Sequence, residues 1–378
     1  MTDRYTLLIS LAGIRFDRGM GEYIKHYLPY LCEEFRNRLL IVSNTSIPQE
    51  LHEIIINNKS KLIKVNLTSP ILEQFVVPAI IKHENVRLAY FPANTFPIIK
   101  PNNVKYVVTI HDLIFLMKDY NPKILKQKLG KFYRAFILKQ GINKIDTIIT
   151  VSYKTLHDII KYFKLRNVNL DDSNVVYNPI KLIQEDKIDN SILRSLNLKP
   201  AEFFYTISGT ADNKNLEFCL KAFANLKRIF PNFKLVISGI FSPHDQQKYN
   251  SILKSLSIKN SVIFTPYIPE EQKRSLLRNC KAFLFLSKEE GFGRPIIEAL
   301  LENSIVIASD IEIFREIGGE FIYYVKIDDE NCLVNFYINY KPKEIKYEAI
   351  LTYLKSKFDI NVLSNKLIAK IYETMGVK

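Results

Sequence analysis

Two carboxylates, Glu290 and Glu298, flank the run Gly291-Phe292-Gly293-Arg294-Pro295. The apolar stretch 282–286 before them reads as a buried strand, and the two glycines as a tight loop. Pro295 suits the first position of a helix, where its missing N–H costs nothing. A helix starting there points backbone N–H groups at whatever lies above the loop, which is an anion site. Glu290 precedes the loop and Glu298 lies one turn into the helix, so both can border the same small volume. The plainer alternative is a loop that needs glycine only to turn, with Glu298 and Glu302 on a solvated helix face. The combination of strand, Gly-x-Gly, proline and two placed acids favours the site.

Other residues could share that chemistry. Lys214 follows the apolar run 203–208, and a lysine at a strand's carboxyl end is a good point charge for a diphosphate. Taken alone it is better read as an ordinary surface lysine. His111-Asp112 ends the most β-rich run of the first half, so the pair reads either as ligand-facing groups or as a strand-end cap. Gly19 and Gly21 permit close backbone approach to a ligand, or simply a strand-to-helix turn. As a dinucleotide fingerprint this run fails, since Ile24 stands where a third small residue belongs. No convincing Asp-x-Asp occurs, so no metal is expected at a diphosphate. Cys32, Cys219, Cys280 and Cys332 are scattered, with no CxxC and no histidine at zinc-ligand spacing. A disulfide framework and a structural zinc are not expected, and a reducing compartment fits.

These side chains must be held by a scaffold, and the apolar pattern defines one. Strands are expected at 6–11, 39–43, 62–65, 88–91, 104–110, 147–151 and 175–177. A second series is expected at 203–208, 234–238, 262–265, 282–286, 305–308 and 321–325. Most are uninterrupted apolar runs, the pattern of strands buried on both faces of a parallel sheet. Helical spacing alternates with them. Met20, Ile24, Tyr27, Leu28, Leu31 and Phe35 mark one helix, bent at Pro29, and Leu216, Leu220 and Phe223 another. The class is α/β, built from βαβ units. The chain has 378 residues, and at roughly 150 residues per domain two domains are expected. The stretch 178–200, with Pro179 and Pro200, separates the two series. The boundary is placed at 180/181, giving domains 1–180 and 181–378, with the last helix a candidate to pack back on the first. Two such domains in series usually leave a cleft between the carboxyl ends of their sheets.

The formal net charge is +14. Residues 1–180 carry 25 Lys and Arg against 15 Asp and Glu, so the first half is the basic one. Attraction to an anionic partner and mere compositional drift account for this equally well. Lys118, Lys123, Lys126, Lys128, Lys131, Arg134 and Lys139 crowd one stretch, with Phe132, Tyr133, Phe136, Ile137 and Leu138 among the later ones. That pattern fits a helix on an anionic membrane surface, or the solvated face of a packed helix. No apolar run approaches the roughly 20 residues that span a bilayer. Asp3 and the short apolar stretch after it do not make a secretory signal. A cytoplasmic protein is expected, with peripheral attachment to the inner face of the cytoplasmic membrane open.

Glu290-x7-Glu298 around Gly-Phe-Gly-x-Pro resembles the signature of the retaining glycosyltransferases of family 4, which have the GT-B fold. Other segments follow in order. Gly19-Met20-Gly21-Glu22-Tyr23 resembles the family's N-terminal glycine loop. Phe91-Pro92, then Val107-Val108-Thr109-Ile110-His111-Asp112-Leu113, resembles its strand ending in His-Asp. Thr150-Val151-Ser152 and Val176-Tyr177-Asn178 resemble the end of its first domain. Ser208-Gly209-Thr210 through Lys214-Asn215-Leu216 resembles its phosphate-binding segment. The resemblance spans nearly the whole chain, weakest after about Asp328.

The resemblance implies two Rossmann-like domains and transfer of a hexose from a nucleotide diphosphate sugar to an acceptor hydroxyl, with retention and without a metal or other cofactor. It implies catalytic roles for Glu290 and His111 at the donor sugar. It implies substrate binding by Gly19, Gly21, Asp112, Thr210, Lys214, Asn215, Gly291, Phe292, Gly293, Arg294 and Glu298, with Glu298 at the ribose. The departing phosphate itself would take the acceptor proton. GDP-mannose is the first donor expected and a UDP-hexose the alternative. The acceptor expected is a glycan, lipid-linked, in surface polysaccharide such as lipopolysaccharide. The sequence departs from the family pattern in places. Thr210 stands where an arginine is common, Arg294 where an apolar residue is usual, and Asn303-Ser304-Ile305 replaces a small-Gly-Pro run. No tryptophan occurs. Two other readings stay open: a GT-B nucleotide-sugar epimerase, which needs no acceptor, and a basic nucleic-acid-binding protein. The latter lacks a recognisable helix-turn-helix, zinc finger or RNA-binding signature, so no nucleic acid is expected as a partner.

Overall fold

The structure is a computed structural model of the chain. It describes residues 5–17, 19–117, 120, 125–166, 170–181, 188–239 and 242–377. These divide into two compact units. The first runs to residue 181, apart from Tyr120, and takes up the chain again from Lys357; the second holds Tyr120 and the residues up to Ser356.

The first unit is built on six parallel strands: β1 (Leu7–Ser10), β2 (Leu39–Ser43), β3 (Lys61–Lys64), β4 (Leu88–Phe91), β5 (Lys105–Ile110) and β6 (Thr147–Thr150). Their order is β3-β2-β1-β4-β5-β6. Every residue of β1, β2 and β4 is buried, because helices cover both faces of the sheet. The edge strand β3 begins and ends in lysine and is only partly covered, which discourages pairing with another chain. The strand expected at 175–177 does not form. Asp171 caps a short 3-10 turn, Asp172–Asn174, and Val175 then makes one isolated bridge to Thr150.

The helix Gly19–Phe35 follows β1 and runs through Pro29. It buries Tyr23, Ile24, Tyr27, Leu28, Leu31 and Phe35. The C-terminal helix Ile360–Met375 is part of this same unit. Asp359 caps it by accepting from the Asn361 and Val362 N–H groups. The Tyr372 ring then stacks on Phe35 with centroids 5.5 Å apart. The Tyr30 hydroxyl donates to Asn361 at 2.9 Å.

The second unit repeats the plan with β7 (Phe203–Ile207), β8 (Lys234–Ser238), β9 (Val262–Thr265), β10 (Ala282–Phe285), β11 (Val306–Ser309) and β12 (Tyr323–Val325). Their order is β12-β11-β10-β7-β8-β9, all parallel. The expected strand 321–325 is shortened because Gly319–Phe321 forms a 3-10 turn. Phe204, Leu220, Phe223, Leu235, Ile237 and Leu284 lie at the centre of its core. Each sheet reverses its strand order once, between β1 and β4 and between β7 and β10. Ligands of open α/β sheets bind beyond the carboxyl ends of the strands at such points. Among the described residues no helix is long and apolar enough to cross a membrane.

Candidate active site

The loops leaving β7 and β10 meet at the reversal point of the second sheet. Their backbones are tied first. The Lys288 N–H donates to the Asn213 carbonyl at 2.8 Å, and the Asn213 side chain returns a bond to the Glu289 carbonyl at 3.0 Å. Asn215 sits at φ 54°, in the left-handed region that asparagine tolerates. Its side chain donates to the Leu286 carbonyl at 3.1 Å. Between these two asparagines Lys214 reaches across, its Nζ 2.7 Å from Glu290 Oε1 and 5.6 Å from the centre of the Phe285 ring. Ser287 donates to the same oxygen at 2.9 Å. Both bonds fall on Oε1. Among the described residues Oε2 takes no partner.

Gly293 ends this loop at φ +96°, where a side chain would be strained and a Cβ would lie 3.1 Å from the Phe314 ring. Phe292 is buried beside it, while Gly291 is partly open. The helix begins at Arg294, one residue earlier than expected, so Pro295 is its second position. The helix Arg294–Leu301 opens without a side-chain cap, presenting the positive end of its dipole.

Glu298 is held on both oxygens. Lys273, from the helix Glu270–Asn279, donates to Oε2 at 2.9 Å, and Arg294 donates to Oε1 at 2.9 Å from one turn back. Burial pushes its pKa up, but the Lys273 and Arg294 charges outweigh this and leave it below the ordinary value. Glu298 is therefore an anion at neutral pH. Arg294, unusual against the family pattern, serves here as one arm of that clamp. Glu302 does not fit the alternative of a solvated helix face. Its side chain is fully buried, with Arg274 Nε 2.5 Å from one oxygen and Arg278 2.8 Å from the other. Thr210 is exposed in the loop after β7.

His111, Asp112, Gly19 and Gly21 belong to the first unit. His111 follows β5 and is 6% exposed. Its N–H is held by Asn94 Oδ1 at 2.7 Å, and its ring lies edge-on to Tyr23 with centroids 4.9 Å apart. Nε2 is 3.0 Å from the Pro92 carbonyl. A carbonyl only accepts, so Nε2 carries the proton and Nδ1 is the accepting nitrogen. Burial lowers the ring pKa to about 4, against the smaller upward pull of the Pro92 bond. Asp112 accepts from the Ile114 N–H at 3.0 Å, at the start of the short turn Ile114–Leu116. Gly19 has open space at its Cβ position. Gly21 does not: a Cβ there would strike the Arg15 carbonyl and Phe16. The close approach at Gly21 is thus made by the chain's own loop.

Sequence reasoning missed Lys273 and Ser287. Lys273 had a signal, since a lysine on an amphipathic helix can meet an acid on a neighbouring one. Ser287 had none beyond its place three residues before Glu290.

A family model described as Glycosyl transferases group 1 matches residues 189–330. That range contains Lys214, Glu290 and Glu298 and lies in the second unit. The O-antigen chain mannosyltransferase RfbU of Salmonella typhimurium is 26% identical over 254 residues, covering 66% of this chain and 64% of the relative. The N-acetylgalactosamine-N,N'-diacetylbacillosaminyl-diphospho-undecaprenol 4-alpha-N-acetylgalactosaminyltransferase of Campylobacter jejuni is 26% identical over 212 residues. That match covers 55% of this chain and 54% of the relative. The chain thus spans less than two thirds of either relative's length. Among solved structures, Anabaena Alr3699/HepE in complex with UDP and glucose superposes with a TM-score of 0.69 at 14% identity, covering 98% of this chain and all of that one. The fold is therefore GT-B: two Rossmann-like units, each on a six-stranded parallel sheet.

Proposed function

We propose that this chain is a retaining glycosyltransferase of family 4. It moves a hexose from a nucleotide diphosphate sugar to a glycan carried on a lipid, at the cytoplasmic face of a membrane, in surface polysaccharide synthesis. The observation that carries this reading is the Lys214–Glu290 pair at the reversal point of the second sheet. The reaction builds negative charge on the leaving diphosphate and positive charge on the sugar ring. A cation, a carboxylate and a helix N-terminus in one place answer both demands. Lys214 and the helix opening at Arg294 meet the diphosphate. Glu290 offers Oε2 to a hydroxyl of the donor sugar, and Glu298 serves the ribose hydroxyls. His111 serves the donor sugar through its accepting Nδ1. Thr210, Asn215 and the Gly291–Gly293 backbone shape the diphosphate pocket, and the reaction needs no metal. Gly19, Gly21 and Asp112, all in the first unit, are the further substrate-binding residues of this reading.

GDP-mannose is the preferred donor, supported by the mannosyltransferase named among the relatives. A UDP-hexose is the second reading, favoured by the likeness to a structure that holds UDP and glucose. The lipid-linked acceptor is supported by the relative whose name specifies a diphospho-undecaprenol substrate. The test incubates the purified chain with GDP-mannose, UDP-glucose or UDP-N-acetylglucosamine, with and without a lipid-diphosphate glycan, in excess chelator. The expected result is transfer only when acceptor is present, with an α-linked product from an α-linked donor. Conversion of the donor without acceptor would make the chain an epimerase. Dependence on added Mg²⁺ would remove the proposed role of Lys214 and the helix terminus.

A further inference from the structure

The helix Leu125–Gly141 of the first unit presents an apolar stripe that no described residue covers. Leu125, Leu129, Phe132 and Phe136 are 70%, 61%, 69% and 57% exposed. Their offsets of four, three and four keep them within roughly 40° of one line along the helix. The helix is locked in this orientation from its other side. The Tyr133 hydroxyl donates to the buried Glu73 at 2.6 Å and accepts from Gln74 at 3.0 Å. Ile137 and Leu138 are buried in the core. The outward face is therefore fixed by packing. Four large apolar side chains in one row, on a face that could have been polar, mark a surface that meets something apolar.

The charge says what. Between Leu125 and Gly141 the sequence has five basic residues and no acidic one. Lys128 and Lys139 are exposed and border the stripe. The side chain of Lys126, and all of Lys118 and Lys123, lie outside the described residues. A second copy of the chain would bring two such positive faces together and meet repulsion. An apolar row flanked by lysines fits the boundary between acyl chains and anionic headgroups. We infer that Leu125, Leu129, Phe132 and Phe136 insert shallowly into an anionic bilayer, with Lys128 and Lys139 seated on its phosphates. The attachment is compatible with the lipid-linked acceptor proposed above, but its test uses neither donor nor acceptor. Failure here would leave the transfer reaction standing, and the reverse also holds.

The chain contains no tryptophan, so one introduced indole reports its own surroundings. The full chain carrying Phe132→Trp is mixed with vesicles of phosphatidylglycerol and phosphatidylcholine in equal parts, or of phosphatidylcholine alone. The control carries Tyr267→Trp, at a position 74% exposed in the second unit. Emission from Phe132→Trp is expected to shift to the blue with the anionic vesicles, and emission from the control to stay in place. In co-sedimentation, Phe132→Ser with Phe136→Ser should weaken partitioning by about tenfold or more. Lys128→Glu with Lys139→Glu should weaken it at low salt. All four positions are exposed, so far-UV dichroism should match the unaltered chain. An unshifted Phe132→Trp spectrum overturns the inference, as does undiminished binding by the serine pair, which would mean charge adsorption alone. A concentration-dependent dimer lost in the serine pair would assign the stripe to a second copy instead.

Discussion

Lys214 and Glu290 are 76 positions apart in the chain and 2.7 Å apart in space. Neither loop alone explains the contact. Lys214 is aimed by the asparagines on either side of it, which bond to the carbonyls of Glu289 and Leu286. Glu290 is aimed by Ser287, three residues before it. Both side chains are thus positioned by contacts within the chain itself, which is the preorganisation that electrostatic stabilisation of developing charge requires.

Glu290→Gln and Glu298→Gln should each lower turnover by about tenfold or more. The two should differ in stability. Glu290→Gln should melt like the unaltered chain. Glu298→Gln removes a carboxylate from the mostly buried Lys273 and should melt a few degrees lower, Glu270 keeping the lysine partly paired. Scanning calorimetry and initial rates check both. Near-normal turnover in both variants would place the site elsewhere.

Lys214→Ala should weaken the nucleoside diphosphate and the donor alike, because both present the diphosphate. A free nucleoside should be affected much less. Since Lys214 also bonds Glu290, the double variant Lys214→Ala/Glu290→Gln should lose less than the two single losses added together. Titration calorimetry with each ligand tests the first claim. Equal losses for nucleoside and diphosphate would remove Lys214 from the phosphate site.

His111 should stay neutral to well below its ordinary titration range, its pKa lowered to about 4. The folded chain then binds fewer protons at this site than the unfolded chain between about pH 6.5 and 4. By linkage the stabilising contribution is full above about pH 6.5 and is lost as pH falls towards 4. In proton–carbon NMR of labelled histidines, the resonance missing from His111→Asn should not move between neutral pH and about pH 5. A midpoint near pH 6.5 would contradict the burial argument.

Glu302→Ala should cost about 3 kcal/mol or more of stability in urea, since it strands the buried Arg274 beside a cavity. Replacing both ends, Glu302→Leu with Arg274→Met, should recover much of that loss. Activity per folded molecule should change little in the double variant, because neither residue belongs to the proposed site. A loss below about 0.5 kcal/mol for Glu302→Ala would mean the pair is solvated.

Much of this protein could be read without coordinates. The strands were legible because a strand covered on both faces must be an unbroken apolar run, as in Leu39–Ser43 or Ala282–Phe285. The Gly-Phe-Gly loop and the helix behind it were legible because a left-handed glycine and a proline in the first turn are local requirements. Val175 misled because its apolar neighbours follow directly on the 3-10 turn capped by Asp171, and the backbone beyond that turn makes only one isolated bridge, to Thr150.

What stayed hidden depends on which face meets which. Spacing shows that Glu298 and Glu302 share one side of their helix, and Lys273, Arg274 and Arg278 one region of theirs. It does not show that those two helices lie together, and that contact alone makes Glu302 buried and Glu298 clamped. The basic helix Leu125–Gly141 has apolar residues around much of its circumference, so its sequence leaves the inward side undecided. The bond from Tyr133 to the buried Glu73, from a segment some 60 positions earlier, sets the rotation. Sequence alone determined the sheets, the glycine loop and the residue types at the candidate site, because each is a demand on neighbouring residues. Tertiary structure decided the partners and the exposed faces, because those depend on contacts between segments far apart in the chain.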